Sequence, residues 1–592
     1  MTSPLADVQL KLCENIDDIA EMKRWVGERR TTPLAFDTES EGLSPHKHKL
    51  RLVQFGDLHR GYVIPWERWS GAALEILNTY EGEFVAHNSV FDARFLDVHG
   101  GWKVPWTRLH DTLTLARIDD PSRSNGLKPL SQSLVDRRAT AGEKALHSGM
   151  TDNHWDWGSV PIDYPPYWIY SGLDGVLTSH LYQYLRPRVE ATASGPYDLE
   201  RAANRICSNM MLHGLMVDVP YVEAAIAKYE KVSADVRGWL KSRHSVTSPA
   251  SSGQLRRAFE KLGQEILFWT DKGQPQFTKA TLGFYKTSGQ NAAVQQLAEY
   301  LLHVRKADKM PRDYLHKFLD MRDSDGMLRM SINVMGAITS RMSVSEPPLQ
   351  QLSRDEVMIR GSFIPRPGYV FITCDLSQIE MRMIADASAD QGLIDAILEA
   401  DSTGTNLFLV IGSQMYRESL TKADKRYSSL KSFAYARAYG AGPDTLAETA
   451  GVPVATIKEI EQLFDERFPG MRRLSDELMN SASAMRRAGE RAGVRLPSGR
   501  FIPTKPGKDY TALNYRIQGP AAEYLKQALC DIDAAGLGDY MALPVHDEIV
   551  MEVPEEEAEE VLMVVQECMT DRSNYAVPLT AEGTILRERW AK

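Results

Sequence analysis

The chain has little cysteine. Five residues in 592, at Cys13, Cys207, Cys374, Cys530 and Cys568, show no paired spacing. A zinc site built on Cys-x2-Cys pairs and a disulfide scaffold are thereby excluded, and reduced thiols of an intracellular protein are expected. No stretch approaches the ~20 apolar residues of a membrane span. The chain reaches Asp7 and Lys11 without an apolar core, so no secretory signal is read there. Excess positive charge is missing too: 69 Lys and Arg stand against 79 Asp and Glu, a net charge of −10. An even basic coat for nucleic acid is excluded, whereas a local basic cleft is not. What remains is ordinary globular composition in a chain too long for one core, and roughly two to four domains are expected.

The segment Val370-Phe371-Ile372-Thr373-Cys374-Asp375 is an apolar, β-branched run that ends in a carboxylate. It reads as a buried strand delivering Asp375 to its tip. A second delivery, Val545-His546-Asp547-Glu548-Ile549-Val550, is flanked by apolar residues as a β-hairpin would be. Acidic residues on neighbouring strand ends suit hard divalent cations, which take oxygen ligands and can serve phosphoryl transfer. Either aspartate alone would more often be a capped turn.

Nearer the N-terminus, Leu34 to Glu39 reads as a strand that places Asp37 and Glu39 on one face. Arg51–Phe55 and Gly61–Ile64 continue a meander. Phe84 to Ala86 then runs into a helix bearing Asn88 and Asp92 one turn apart, a spacing repeated at Tyr170 and Asp174. Each pair alone is more often a helix cap or a surface contact. In order, D-x-E, N-x3-D and Y-x3-D resemble the proofreading 3′→5′ exonuclease of the DEDD class, tyrosine variety. By that resemblance Asp37, Glu39, Asp92 and Asp174 hold two divalent metals and Tyr170 orients the attacking water.

Pro187–Pro196, small and polar in its middle, is expected to be a domain joint. Helices follow over Leu199–Met211, Tyr221–Leu240 and Gln254–Leu262, the last resembling the thumb of the polymerase I family. The basic stretch His303–Lys317 is expected to meet DNA phosphates, although such runs are usually solvated faces. No large insertion of the kind that recruits a processivity protein is seen. Thr339-Ser340-Arg341, with Pro347-Pro348-Leu349-Gln350-Gln351 behind it, resembles a template-primer contact segment of family A DNA polymerases, with Arg341 and Gln350 at matching positions. Pro348 stands where that family has asparagine.

The Asp375–Arg382 segment then matches motif A of family A, D-x-S-Q-I-E-x-R. The resemblance makes Asp375 and the Leu376 carbonyl metal ligands and Gln378 a nucleotide contact. It makes Glu380 the side chain that excludes a ribose 2′-hydroxyl. Lys431, Tyr435 and Tyr439 fall on one helix face in a K-x3-Y-x3-YG pattern matching motif B, with Lys431 on the triphosphate. The family's preceding arginine falls on Tyr427, with Arg426 one place off as its substitute, and an upstream D-x-H reads Asp401-Ser402-Thr403. Tyrosine at 435 goes, in the family, with tolerance of dideoxynucleotides. Asn514 and Gln518 match residues that face the primer-template minor groove. His546-Asp547-Glu548 matches motif C: Asp547 is the second metal ligand, His546 supports the primer end and Glu548 assists.

The resemblance implies an α/β fold throughout, a ribonuclease H-like 3′→5′ exonuclease (1–195) followed by a right-hand polymerase. The hand divides into thumb (196–330), palm with motif A (331–390), fingers with motif B (391–510) and palm with motif C (511–592). The implied cofactors are two divalent ions in each active site, Mg2+ or Mn2+ in its place. The implied partners are primer-template DNA and deoxynucleoside triphosphates, with no membrane, a monomeric state and no identifiable replisome protein. A family 5′-nuclease domain is not seen, and a bacteriophage replicative enzyme of the host cytoplasm is expected. Two rival readings stand beside it: an exonuclease whose decayed polymerase half grips DNA, and a non-enzymatic nucleic-acid-binding scaffold.

Overall fold

Short β-branched and aromatic runs between turn residues build the N-terminal sheet. In this computed structural model, residues 4–591 are described except 31, 271, 353–355, 439, 441 and 451, and the side chains of 425, 438 and 448–450 also lie outside the description. The strands are β1 (Gln9–Leu12), β2 (Leu34–Ser40), β3 (Leu50–Gly56), β4 (Arg60–Pro65), β5 (Phe84–Ala86) and β6 (Leu109–Asp111). Their order is β1-β4-β3-β2-β5-β6. β2, β3 and β4 form the expected antiparallel meander, with Asp37 opposite Gln54. β1, β5 and β6 join their neighbours in parallel. An antiparallel meander continued by parallel strands is the ribonuclease H-like arrangement. Phe36, Phe84 and Trp102 meet edge-on in its core.

β5 enters helix α1 (Ser89–Gly100) through Asn88, whose φ is 68°, a left-handed conformation that asparagine tolerates better than most residues. A short helix α2 (Leu127–Leu134) precedes the long helix α3 (Pro165–His213). The joint expected over 187–196 lies inside α3, which loses helical geometry only at Ala193 (φ −157°, ψ 45°). Proline kinks a helix without ending it when packing holds both sides. Here Leu185, Val189, Ala193 and Tyr197 recur every fourth residue and are all buried.

Four helices, Val219–His244, Ser252–Lys261, Lys279–Ser288 and Ala292–Met310, close over a separate core that includes Leu240, Phe259, Tyr285 and Leu297. In the basic stretch beside it, Arg305 donates to the Pro249 carbonyl at 2.9 Å, Lys306 pairs with Glu356 at 2.8 Å and Arg312 with Asp313 at 2.7 Å. These three charges serve the fold's own contacts.

The second large sheet contains β7 (Tyr369–Leu376), β8 (Met541–Val545), β9 (Glu548–Pro554) and β10 (Ala581–Leu586), in the antiparallel order β8-β9-β7-β10. Val370 to Cys374 are all buried, which explains their unbroken apolar character in a central strand. Helix α4 (Ile379–Ser388) follows β7 at the sheet's acidic end, α6 (Ala512–Ile532) packs against α4, and α5 (Lys425–Ala438) meets α6. Among the described residues no helix is long and apolar enough to cross a membrane.

Candidate active sites

Strand alternation on β2 turns Asp37 and Glu39 toward α3, where Asp174 meets them. One carboxylate oxygen from each of the three lies within 4.8 Å of the others. Gln54 Nε2 donates to Asp37 at 3.0 Å, and Ser171 Oγ donates to Glu39 at 3.0 Å. Asp92 on α1 stands beside this group and accepts from Thr38 Oγ1 at 2.6 Å. Withdrawal from water, then the charges of Asp92 and Asp174, lift the Asp37 carboxyl well above the usual range. Burial and Asp174 push Glu39 up to about 8, and burial pushes Asp92 up to about 7. Burial likewise raises the Tyr170 phenol, keeping it a neutral hydroxyl.

Lys128, which sequence reasoning missed, is buried in this site. Its ammonium pairs with Asp174, donates to the Tyr170 carbonyl at 3.2 Å and lies 3.9 Å from the centre of the Tyr170 ring. No spacing signal sets Lys128 apart from a surface lysine, because only the fold brings α2 against α3. Crowded oxygens, raised pKa values and a cation already drawn onto Asp174 fit a hard divalent ion.

In the second sheet the expected strand tips come together. Asp375 on β7 is registered opposite Glu548 on β9 and Glu582 on β10. The Leu376 N–H donates to the Asp547 carbonyl at 3.0 Å, tying motif A to the two-residue turn of the β8–β9 hairpin. His546 takes a left-handed φ of 55° in that turn and is exposed. Arg341 Nη2 lies 2.6 Å from Glu380 Oε1 and 3.9 Å from Asp547 Oδ1, so a guanidinium sits among the site's carboxylates. Gln518 Nε2 also reaches Glu380, at 3.4 Å. Buried Glu548 pairs with Arg360 at 3.4 Å. Two carboxylate tips on one sheet end suit divalent ions by the same donor chemistry.

Not every expected contact faces outward. Gln350 is buried, accepting from the Val344 N–H at 3.1 Å and donating to the Pro544 carbonyl at 3.2 Å. It braces the loop behind Arg341. Arg426 is paired with Asp424 and Glu418. Lys431 is exposed on α5, Tyr435 packs its ring 5.4 Å from that of Phe408, and Tyr439 lies outside the described residues. Asn514 is half-buried on α6. Gln378 opens α4 with φ 53°, and its side-chain oxygen has no partner among the described residues. It borders a polar cavity of about 710 Å3, shared with Ser377, Arg382, Asp401, Asn406 and Lys422. Asp401, left over from the broken D-x-H pattern, grips Arg382 of motif A at 2.6 and 2.7 Å.

Residues 226–592 match the family model described as DNA polymerase family A, and residues 13–190 match one described as 3′-5′ exonuclease. The DNA polymerase of Mycobacterium phage D29 is 28% identical over 578 residues, 93% of this chain and 92% of the relative. That of Mycobacterium phage L5 is 27% identical over 573 residues, with the same coverage. DNA polymerase I of Streptococcus pneumoniae is 28% identical over 409 residues, which are 65% of this chain and 45% of that protein. The solved POL domain of Pol1 from M. smegmatis, in complex with DNA primer-template and dNTP, shares the fold with a TM-score of 0.78. Its identity is 22%, with 96% of this chain and 98% of that one covered. The fold and the two acidic sites thus define a DNA polymerase that carries a 3′→5′ exonuclease. The chain belongs to DNA polymerase family A, whose polymerases and exonucleases use divalent metal ions.

Proposed function

We propose that the chain extends a primer 3′ end on a DNA template with deoxynucleoside triphosphates, and edits that end at the second site, as a replicative enzyme of bacteriophage type. The observation that carries the reading is the junction of β7 with the β8–β9 turn, where the Leu376 N–H, one residue after Asp375, meets the Asp547 carbonyl at 3.0 Å, while Asp37, Glu39 and Asp174 cluster elsewhere. The domain limits proposed are 195, 330, 390 and 510. A monomer in the cytoplasm of the host is the accompanying proposal.

Asp375, Asp547 and the Leu376 carbonyl would hold two divalent ions in the polymerase site, and Asp37, Glu39, Asp92 and Asp174 two in the exonuclease, Mg2+ with Mn2+ as substitute. Bound there, such ions neutralise phosphate charge and lower the pKa of the attacking oxygen. Lys431 offsets charge on the triphosphate or protonates the departing pyrophosphate. Gln378, Tyr435 and Tyr439 contact the nucleotide, and Glu380 closes the space a 2′-hydroxyl would need. Arg341, Asn514, Gln518 and His546 contact primer or template. Gln350 acts on DNA only through the loop it braces, and Arg426 reaches a triphosphate only by leaving its two carboxylates. In the exonuclease, Tyr170 orients the water, and Lys128 holds Asp174 and the Tyr170 carbonyl in place.

The test is extension of a labelled primer-template with Mg2+ and four deoxynucleotides, beside Asp375→Ala and the double change Asp37→Ala, Glu39→Ala. The expected outcome is that wild type extends, Asp375→Ala only degrades and the double variant only extends. A wild type that degrades without ever extending would establish the decayed-polymerase reading instead.

A further inference from the structure

We propose that a buried charge cluster behind the polymerase site positions Arg341 against Glu380 and thereby sets how strictly the enzyme rejects ribonucleotides; this rests on the reading of Glu380 as the sugar gate. The cluster joins segments far apart in sequence. Glu200 lies on α3, the helix that also carries Tyr170 and Asp174. Arg500 follows a turn at Gly499, and Glu523 and Lys526 lie on α6. Glu200 and Lys526 are fully buried and Arg500 is 2% exposed. Lys526 Nζ donates to both Glu200 oxygens at 2.7 Å. Arg500 donates to Glu200 at 2.6 Å and to Glu523 at 2.8 Å. Two basic and two acidic side chains thus bond one another in the interior.

Such a set rarely stabilises a core more than apolar side chains of equal volume would, while it tolerates little change of geometry. What it holds here is Ser340. The Ser340 hydroxyl donates to Glu200 at 2.6 Å, and Lys526 donates to both the Ser340 carbonyl and its Oγ at 2.7 Å. Ser340 has a φ of 64°, a left-handed conformation that serine adopts at a cost. Its N–H bonds the Ala337 carbonyl at 2.9 Å, and the Ala337 N–H bonds the Arg341 carbonyl at 3.1 Å. The turn therefore has one orientation, and the next side chain along, Arg341, ends 2.6 Å from Glu380 Oε1. Ser340, Glu200 and Lys526 are positioning residues. All three are buried and act through Arg341.

The experiment compares kcat/KM for a ribonucleotide and its deoxynucleotide, with thermal midpoints, in wild type, Ser340→Ala, the charge-balanced double variant Glu200→Gln, Lys526→Met, and Glu380→Ala. Ser340→Ala removes the bridging hydroxyl and strands no charge, so it carries the test if the double variant does not fold. Glu380→Ala is expected to raise ribonucleotide use most. Ser340→Ala is expected to raise the ribo-to-deoxy ratio roughly three- to tenfold, the scale of one hydrogen bond, and to add nothing in the Glu380→Ala background. A ratio unchanged in Ser340→Ala while Glu380→Ala raises it would overturn the positioning role and leave the gate standing. A ratio unchanged in Glu380→Ala would overturn the gate and this inference with it.

Discussion

Replacing Lys128 with methionine keeps the side chain's approximate volume and removes the cation that pairs with Asp174 in the exonuclease site. Both side chains are buried, at 5% exposure each. Breaking a buried pair from one side costs about 3–5 kcal/mol, because a charge is left in the interior without a partner. The carboxyl has an escape, which bounds the loss: it can take a proton. Burial already lifts the Asp174 carboxyl above its ordinary value of 3.8, against the pull of Lys128. Measured from that ordinary value, protonation at pH 7.5 costs at most about 1.36 × 3.7, or about 5 kcal/mol, and at pH 6 about 1.36 × 2.2, or about 3 kcal/mol. Lys128→Met is therefore expected to lose about 3–5 kcal/mol at pH 7.5 and no more than about 3 at pH 6. For a domain of this size that is roughly 10 °C in the first unfolding transition at the higher pH. A divalent cation replaces the lost charge, so Mg2+ should recover much of the deficit. The assay is thermal unfolding of wild type and variant at both pH values, with Mg2+ and with a chelator. An equal deficit under all four conditions would refute the electrostatic argument and reduce Lys128 to a packing residue.

Two further outcomes follow from the same sites. Folding raises the pKa of Asp37, Glu39 and Asp92, so the folded chain keeps protons that the unfolded chain has already released. With a chelator present, stability of the exonuclease part should then fall as pH climbs from about 4, the unfolded range, to about 8, where Glu39 titrates. Mg2+ should flatten that slope, and a chelated midpoint that rises with pH would show the carboxylates to be already neutralised within the fold. At the polymerase site, Tyr435 is expected to let dideoxynucleotides enter readily, and Tyr435→Phe to raise discrimination roughly 10- to 100-fold, the range of a hydrogen bond to a charged group. Single-nucleotide incorporation measures both, and a wild type that already rejects dideoxynucleotides strongly would contradict it.

Several features were legible because their causes are local. Strand alternation placed Asp37 and Glu39 on one face, and an apolar run ending in a carboxylate marked Asp375 at the tip of a central strand. Helical spacing put Lys431 and Tyr435 on one side of α5. Local signals were incomplete where packing added to composition. The small polar residues around Ala193 suggest a joint, and buried side chains every fourth residue carry α3 through that segment with a break at Ala193. Gln350 stands where a DNA contact is expected, and its amide instead satisfies two backbone groups in the loop behind Arg341.

The sequence by itself determined which chemistry this protein carries, since five acidic motifs and a lysine-tyrosine helix face keep their spacing whatever surrounds them. Only the tertiary structure decided which charges that chemistry works among. Lys128 lies 46 residues from Asp174 in sequence, and Glu200 lies 326 from Lys526. Neither pairing leaves a periodic trace, because the contact depends on how whole helices pack. Arg341 is of the same kind: its place between Glu380 and Asp547 follows from a left-handed serine and the buried charges that hold it.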